Sequence, residues 1–119
     1  MKKIVIVEDE NDIVELLKIV FRNSDYDVLF FCKSLDNDEI QLLYPDLILL
    51  DIRLIGSVKS GIDICRELKS TPSTSTIPVV LISAEYNLAE IAAECGADYF
   101  INKPYDLFSL LLKIKQYLT

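Results

Sequence analysis

The chain contains no histidine. That excludes imidazole acid–base catalysis, histidine-ligated zinc and any role as a phosphohistidine carrier. No apolar stretch approaches the roughly 20 residues that a membrane-spanning helix needs. Basic clusters are also missing: 12 Lys and Arg stand against 19 Asp and Glu, a net charge of −7. Binding a phosphate backbone requires such clusters, so the balance argues against direct nucleic-acid contact by this surface, and a positive partner or bound cation is expected. The only cysteines, Cys32, Cys65 and Cys95, have no C-x-x-C spacing. An odd count without a signal sequence reads as reduced thiols in a cytoplasm, packed as small buried hydrophobes. Met1-Lys2-Lys3 leads into an apolar run with no cleavage site. There is no repeat, low-complexity tract or linker. At 119 residues and 51% hydrophobic, the chain reads as one domain over residues 1–119, able to bury a core without staples.

What is present is a placement of acids. Two wholly apolar runs, Ile4-Val5-Ile6-Val7 and Leu47-Ile48-Leu49-Leu50, end in carboxylates: Glu8-Asp9 after the first, Asp51 after the second. Runs without polar alternation are expected of strands buried on both faces, as in a parallel sheet covered by helices. Should the two strands be neighbours, three carboxylates share one crevice. Such crowding is costly unless a cation holds them or one stays protonated.

The remaining pattern alternates strand and helix. Ile13, Leu16, Leu17 and Val20 form the apolar stripe of a first helix. Tyr26–Cys32 is a second strand, and Ser34 is placed to cap a short helix carrying Ile40 and Leu43. A helix opening near Gly61 is expected to bury Ile62, Cys65 and Leu68, and the Ser/Thr-rich stretch 70–76 is a turn-rich connection. Val79–Ile82 is a fourth strand. Leu88, Ile91, Ala92 and Cys95 mark a fourth helix that Gly96 stops, and Tyr99–Ile101 is a fifth strand. Pro104 suits the first turn of a last helix burying Leu107, Leu110, Leu111, Ile114 and Leu118. Such βα units predict an α/β fold, a flavodoxin-like doubly wound five-stranded parallel sheet of order 2-1-3-4-5 with helices on both faces. That order places strands one and three side by side.

Taken singly, each polar residue on the expected rim has an ordinary explanation. Asp51 could merely end a strand, Glu8-Asp9 could favour the first helix's N-terminus, Ser83 could cap a helix, and Lys103-Pro104 could be a turn. Jointly, acids, a hydroxyl and a lysine directly after successive buried strands point to phosphoryl transfer. Oxygen-only ligands suit Mg²⁺, and Asp51 becomes a carboxylate nucleophile. Mg²⁺, the Lys103 ammonium and the Ser83 hydroxyl would each neutralise one oxygen of the transferred group.

Four stretches carry a resemblance: Ile4–Glu10, Pro45–Leu54, Ile77–Ala84 and Gly96–Pro104. Together they resemble the receiver domain of two-component response regulators over essentially the whole chain. The resemblance implies that Asp51 is the phosphoacceptor. It makes Glu8 and Asp9 the acidic Mg²⁺ pair, the Arg53 carbonyl a further ligand, Ser83 the switch hydroxyl and Lys103 the phosphate-contacting lysine before a commonly cis proline. The implied partner is a sensor histidine kinase or a histidine phosphotransfer protein. Enzymatic activity would be at most self-phosphorylation from phosphodonors and autodephosphorylation. Output is expected through the face of helix four, strand five and helix five, where Phe100 is the rotating aromatic.

The pattern is departed from in places. Glu8 stands where Asp is commoner, Ile55-Gly56 replaces Pro-Gly, Phe100 often is Tyr, and the loop from Asp51 to Gly61 is about two residues longer than typical, with Gly56–Ser60 overhanging the site. Phe108 and Leu112 lie about 100–140° from the last helix's buried stripe at 3.6 residues per turn. They are either scattered exposed residues or part of a patch for a downstream protein or a phosphorylation-dependent homodimer. Arg53 and Glu85 are expected to face each other across the site mouth and hinder water. Competing functions are a phosphorylation-independent interaction module, a haloacid-dehalogenase-like phosphatase and a flavodoxin-type flavin carrier. The phosphatase needs an acid where Arg53 stands. The carrier needs a Ser/Thr-rich phosphate loop after the first strand, and none is present.

Overall fold

A computed structural model describes residues 1–118. Ten elements alternate: β1 (Lys3–Val7), α1 (Asn11–Phe21), β2 (Asp27–Phe31), α2 (Asn37–Leu43), β3 (Leu47–Asp51), α3 (Gly61–Ser70), β4 (Val79–Ser83), α4 (Leu88–Cys95), β5 (Tyr99–Asn102) and α5 (Leu107–Leu118). All strands are parallel, in the order β2-β1-β3-β4-β5, as the alternation predicts. β1 and β3 are paired from Ile4–Leu47 to Val7–Leu50, so Glu8 and Asp51 leave adjacent strands at the same end.

Between Lys3 at the start of β1 and the polar residues Asp51 and Ser83 that end β3 and β4, the central strands are apolar because their side chains meet helices on both faces. Val5, Val7, Ile48, Leu50, Val79 and Leu81 pack with residues of α2, α3 and α4 on one face. Ile4, Ile6, Leu47, Leu49, Val80 and Ile82 pack with α1 and α5 on the other. Edge strands β2 and β5 are only half-buried.

Several local expectations are corrected. The cap of α2 is Asp36 rather than Ser34, in a reciprocal capping box with Glu39, because Leu35 first turns into the core. Leu16 lies outside the buried side of α1, which is carried by Leu17 and Phe21. In α3 the fully buried residues are Ile64, Cys65 and Leu68, and Ile62 is peripheral. Cys32 is exposed just past β2, while Cys65 and Cys95 are buried. Pro104 precedes α5 instead of opening it, after a cis Lys103–Pro104 peptide bond. Gly96 does end α4 with φ +84°. No helix among the described residues is long and apolar enough to cross a membrane.

Candidate phosphoryl-transfer and metal site

The site is assembled by strand ends. β1 delivers Glu8 and Asp9, β3 delivers Asp51, β4 delivers Ser83 and the turn after β5 delivers Lys103. Backbone bonds hold these endings in register: Glu8 N–H donates to the Phe31 carbonyl at 2.9 Å and Lys103 N–H to the Ser83 carbonyl at 2.8 Å. Gly61 is required directly beneath Asp51. A Cβ there would collide with the Asp51 carbonyl and lie 2.8 Å from Ile52 Cα, so α3 starts with its backbone against the end of β3.

The result is an open cleft of about 310 Å³. Asp9, Asp51, Ser83 and Lys103 line it, with Arg53, Ile55 and Glu85 at its edge. Glu8, Asp51 and Ser83 are buried. Lys103 Nζ stands 3.0 Å from Asp51 Oδ2 and 3.2 Å from Glu8 Oε1, with Glu10 Oε1 at 3.5 Å. The crowding is thus relieved in both ways that charge physics allows. A cationic side chain sits among the acids, and burial together with the neighbouring Asp51 carboxylate pushes the Glu8 carboxyl up to about 8, against the opposing pull of the Lys103 charge. Burial works against the Lys103 charge, but Asp51 and Glu8 outweigh it and raise its pKa.

Carboxylate oxygens of Glu8, Asp9 and Asp51 all lie within 4.8 Å of one another. This donor set contains only hard oxygens, two of them on buried side chains. It fits Mg²⁺, which takes one or two carboxylates and completes its shell with water or phosphate oxygen. Arg53 enters through its backbone: its N–H donates to Asp51 Oδ1 at 3.3 Å. Ser83 Oγ accepts from Glu85 N–H at 3.1 Å, which keeps the hydroxyl at the rim after β4, where no helix begins until Leu88. Arg53 Nε lies 3.6 Å from Glu85 Oε1, the arginine side chain 82% exposed, so this pair does bridge the mouth.

The sequence reading missed two features. Glu10 joins the acids around Lys103. Asp9 Oδ2 accepts a hydrogen bond from Ile55 N–H at 3.0 Å. The replacement of Pro by Ile at position 55 was the signal for the second, because proline has no N–H to give.

A buried parallel sheet whose carboxyl edge gathers three acids, a hydroxyl and a lysine defines an acidic cleft that could hold a metal ion. The model of the response regulator receiver domain matches residues 4–115, and the chain belongs to that family. It is similar to the BeF3-activated N-terminal receiver domain of RstA from Klebsiella pneumoniae, at 31% identity and a TM-score of 0.84, covering 98% of each chain. It is also similar to the receiver domain of NtrX from Brucella abortus, at 30% identity, a TM-score of 0.81 and 97% of each chain. A third similar structure is the signal receiver domain of a signal transduction histidine kinase from Syntrophus aciditrophicus, at 31% identity and a TM-score of 0.79, covering 99% of this chain and 90% of that one.

Proposed function

We propose that this chain accepts a phosphoryl group on Asp51, from a sensor histidine kinase or a histidine phosphotransfer protein, with Mg²⁺ as cofactor. The observation that carries the reading is the convergence on Asp51: a lysine ammonium at 3.0 Å and two further carboxylates within 4.8 Å, on one open rim. An Asp51 carboxylate oxygen attacks the phosphorus of the donor phosphohistidine. The O–P bond forms as the N–P bond breaks, and the bonding pair leaves on the imidazole nitrogen. Glu8, Asp9 and Asp51, with the Arg53 carbonyl, would hold the cation, which supplies positive charge to the transferred oxygens. Lys103 exchanges its Asp51 oxygen for a phosphoryl oxygen, and the Ser83 hydroxyl, whose oxygen accepts from Glu85 N–H, donates its own hydrogen to another.

Inward movement of Ser83 vacates space that Phe100 occupies, altering the face made by α4, β5 and α5. This is a shift between two existing states, limited by the phosphoryl group's different contacts in each. The face then engages a downstream protein or a second copy through Phe100, Phe108 and Leu112. Arg53 and Glu85 slow the approach of water to the acyl phosphate. Residues 1–119 work as one receiver unit in a cytoplasm.

Incubation with Mg²⁺ and acetyl phosphate or phosphoramidate should add one phosphoryl group by intact mass, with none added to Asp51→Asn. Unmodified wild-type protein would instead favour a phosphorylation-independent interaction module.

A further inference from the structure

Asp9 differs from the other two acids of the cluster. Glu8 and Asp51 are buried and lean on the Lys103 ammonium. Asp9 is half-buried, and the donor that meets it is the backbone N–H of Ile55, 46 residues away. Ile55 is 82% exposed, so what this position gives Asp9 is its N–H.

That donor sits in a defined turn. Ser57 N–H donates to the Leu54 carbonyl at 3.0 Å, and Gly56 has φ +78°. These are the marks of a type II turn with Ile55 at its second position and Gly56 at its third. The turn is braced on both sides. Leu54 is buried, Ser57 Oγ accepts from Ser34 N–H at 2.9 Å, and the Lys59 ammonium bridges Asp36 and Glu67 at 3.2 and 2.8 Å.

We propose that the Ile55 N–H is a positioning group for the cation site: it fixes the Asp9 carboxylate so that its other oxygen is offered to the cleft, and it ties the β3–α3 loop to the cation. This inference rests on the Mg²⁺ reading above. A carboxylate has two oxygens and about four acceptor directions, so one N–H on Oδ2 leaves Oδ1 whole. Outer hydrogen bonds that orient ligating carboxylates commonly set metal affinity by about ten- to a hundredfold. Because linkage is reciprocal, whatever the N–H does for cation binding, the cation does for the order of the loop.

The second position of a type II turn accepts proline, so Ile55→Pro removes the donor and keeps the turn. Calorimetry with Mg²⁺ should show about tenfold weaker binding in Ile55→Pro, and Ile55→Val, which keeps the N–H, should restore wild-type affinity. In the wild-type protein, Mg²⁺ should slow hydrogen exchange of the Ile55 amide by roughly three- to tenfold. This measurement decides the matter even if the proline variant does not fold. Equal Mg²⁺ affinity in wild type and Ile55→Pro, or faster Ile55 exchange with Mg²⁺, would overturn the positioning role and leave the metal site standing. Absence of any Mg²⁺ binding to the wild-type protein would overturn both.

Discussion

Glu8 shows how one residue registers the electrostatics of the whole rim. Its carboxyl, pushed up to about 8 by burial and by Asp51, holds a proton in the folded, metal-free protein at pH values where the unfolded chain has lost it. A raised folded-state pKa contributes stability that is complete below the unfolded value and disappears as pH rises through the folded one. Metal-free protein should therefore lose stability between about pH 5 and pH 8, by at most about 1.4 kcal/mol per pH unit from this group. Glu8→Gln should flatten the slope in denaturant titrations at stepped pH. An unchanged slope would show that Lys103 keeps Glu8 ionised throughout. The extra methylene of Glu8 relative to Asp was visible in the sequence. Its consequence was not, because depth below the surface and reach toward Lys103 depend on how β1 and β5 are placed.

At the scale of elements, strands and their order were legible, since unbroken apolar runs have few other uses in a small chain. Helix beginnings were less so. Ser34 and Asp36 are both good caps in isolation, and the choice between them was made by Leu35 entering the core. Leu16 shared the periodicity of α1, but the buried stripe is narrower than the apolar one. The start of α3 depends on close approach. Gly61 N–H donates to the Ile52 carbonyl at 2.8 Å, and the space for a Cβ is already taken by the Asp51 backbone. Gly61→Ala should cost about 1–3 kcal/mol through forced backbone displacement, seen as a lowered denaturant midpoint, and should weaken Mg²⁺ binding by moving Asp51. A neutral substitution would mean that α3 is free to slide.

For the molecule as a whole, acidity and exposed apolar residues are distributed differently. Glu8, Asp9 and Asp51 cluster at the carboxyl rim, whereas Phe108 and Leu112, 69% and 49% exposed, lie on the solvent side of α5. Of the five residues that helical spacing assigned to the buried stripe, Leu110, Ile114 and Leu118 are buried, while Leu107 and Leu111 are only half-buried against the core; the exposure of Phe108 and Leu112 was anticipated, and what they meet was beyond the reach of periodicity. Phe108→Glu or Leu112→Glu should leave folding and phosphorylation intact and abolish phosphorylation-dependent association, measured by sedimentation before and after acetyl phosphate. Association that persists in both variants would remove this patch from the output face.

The sheet also partitions the interior. Leu49 and Leu50 are consecutive in the chain yet belong to separate apolar compartments, one shared with α1 and α5, the other with α3 and α4. Leu50 is paired across the sheet with Leu81, and Leu49 with Val80. Side chains that share a compartment therefore belong to paired strands, whereas neighbours along one strand face opposite layers. Ser83 is paired with Asn102, so the β4 end that carries the hydroxyl is joined edge to edge with β5, one residue before Lys103.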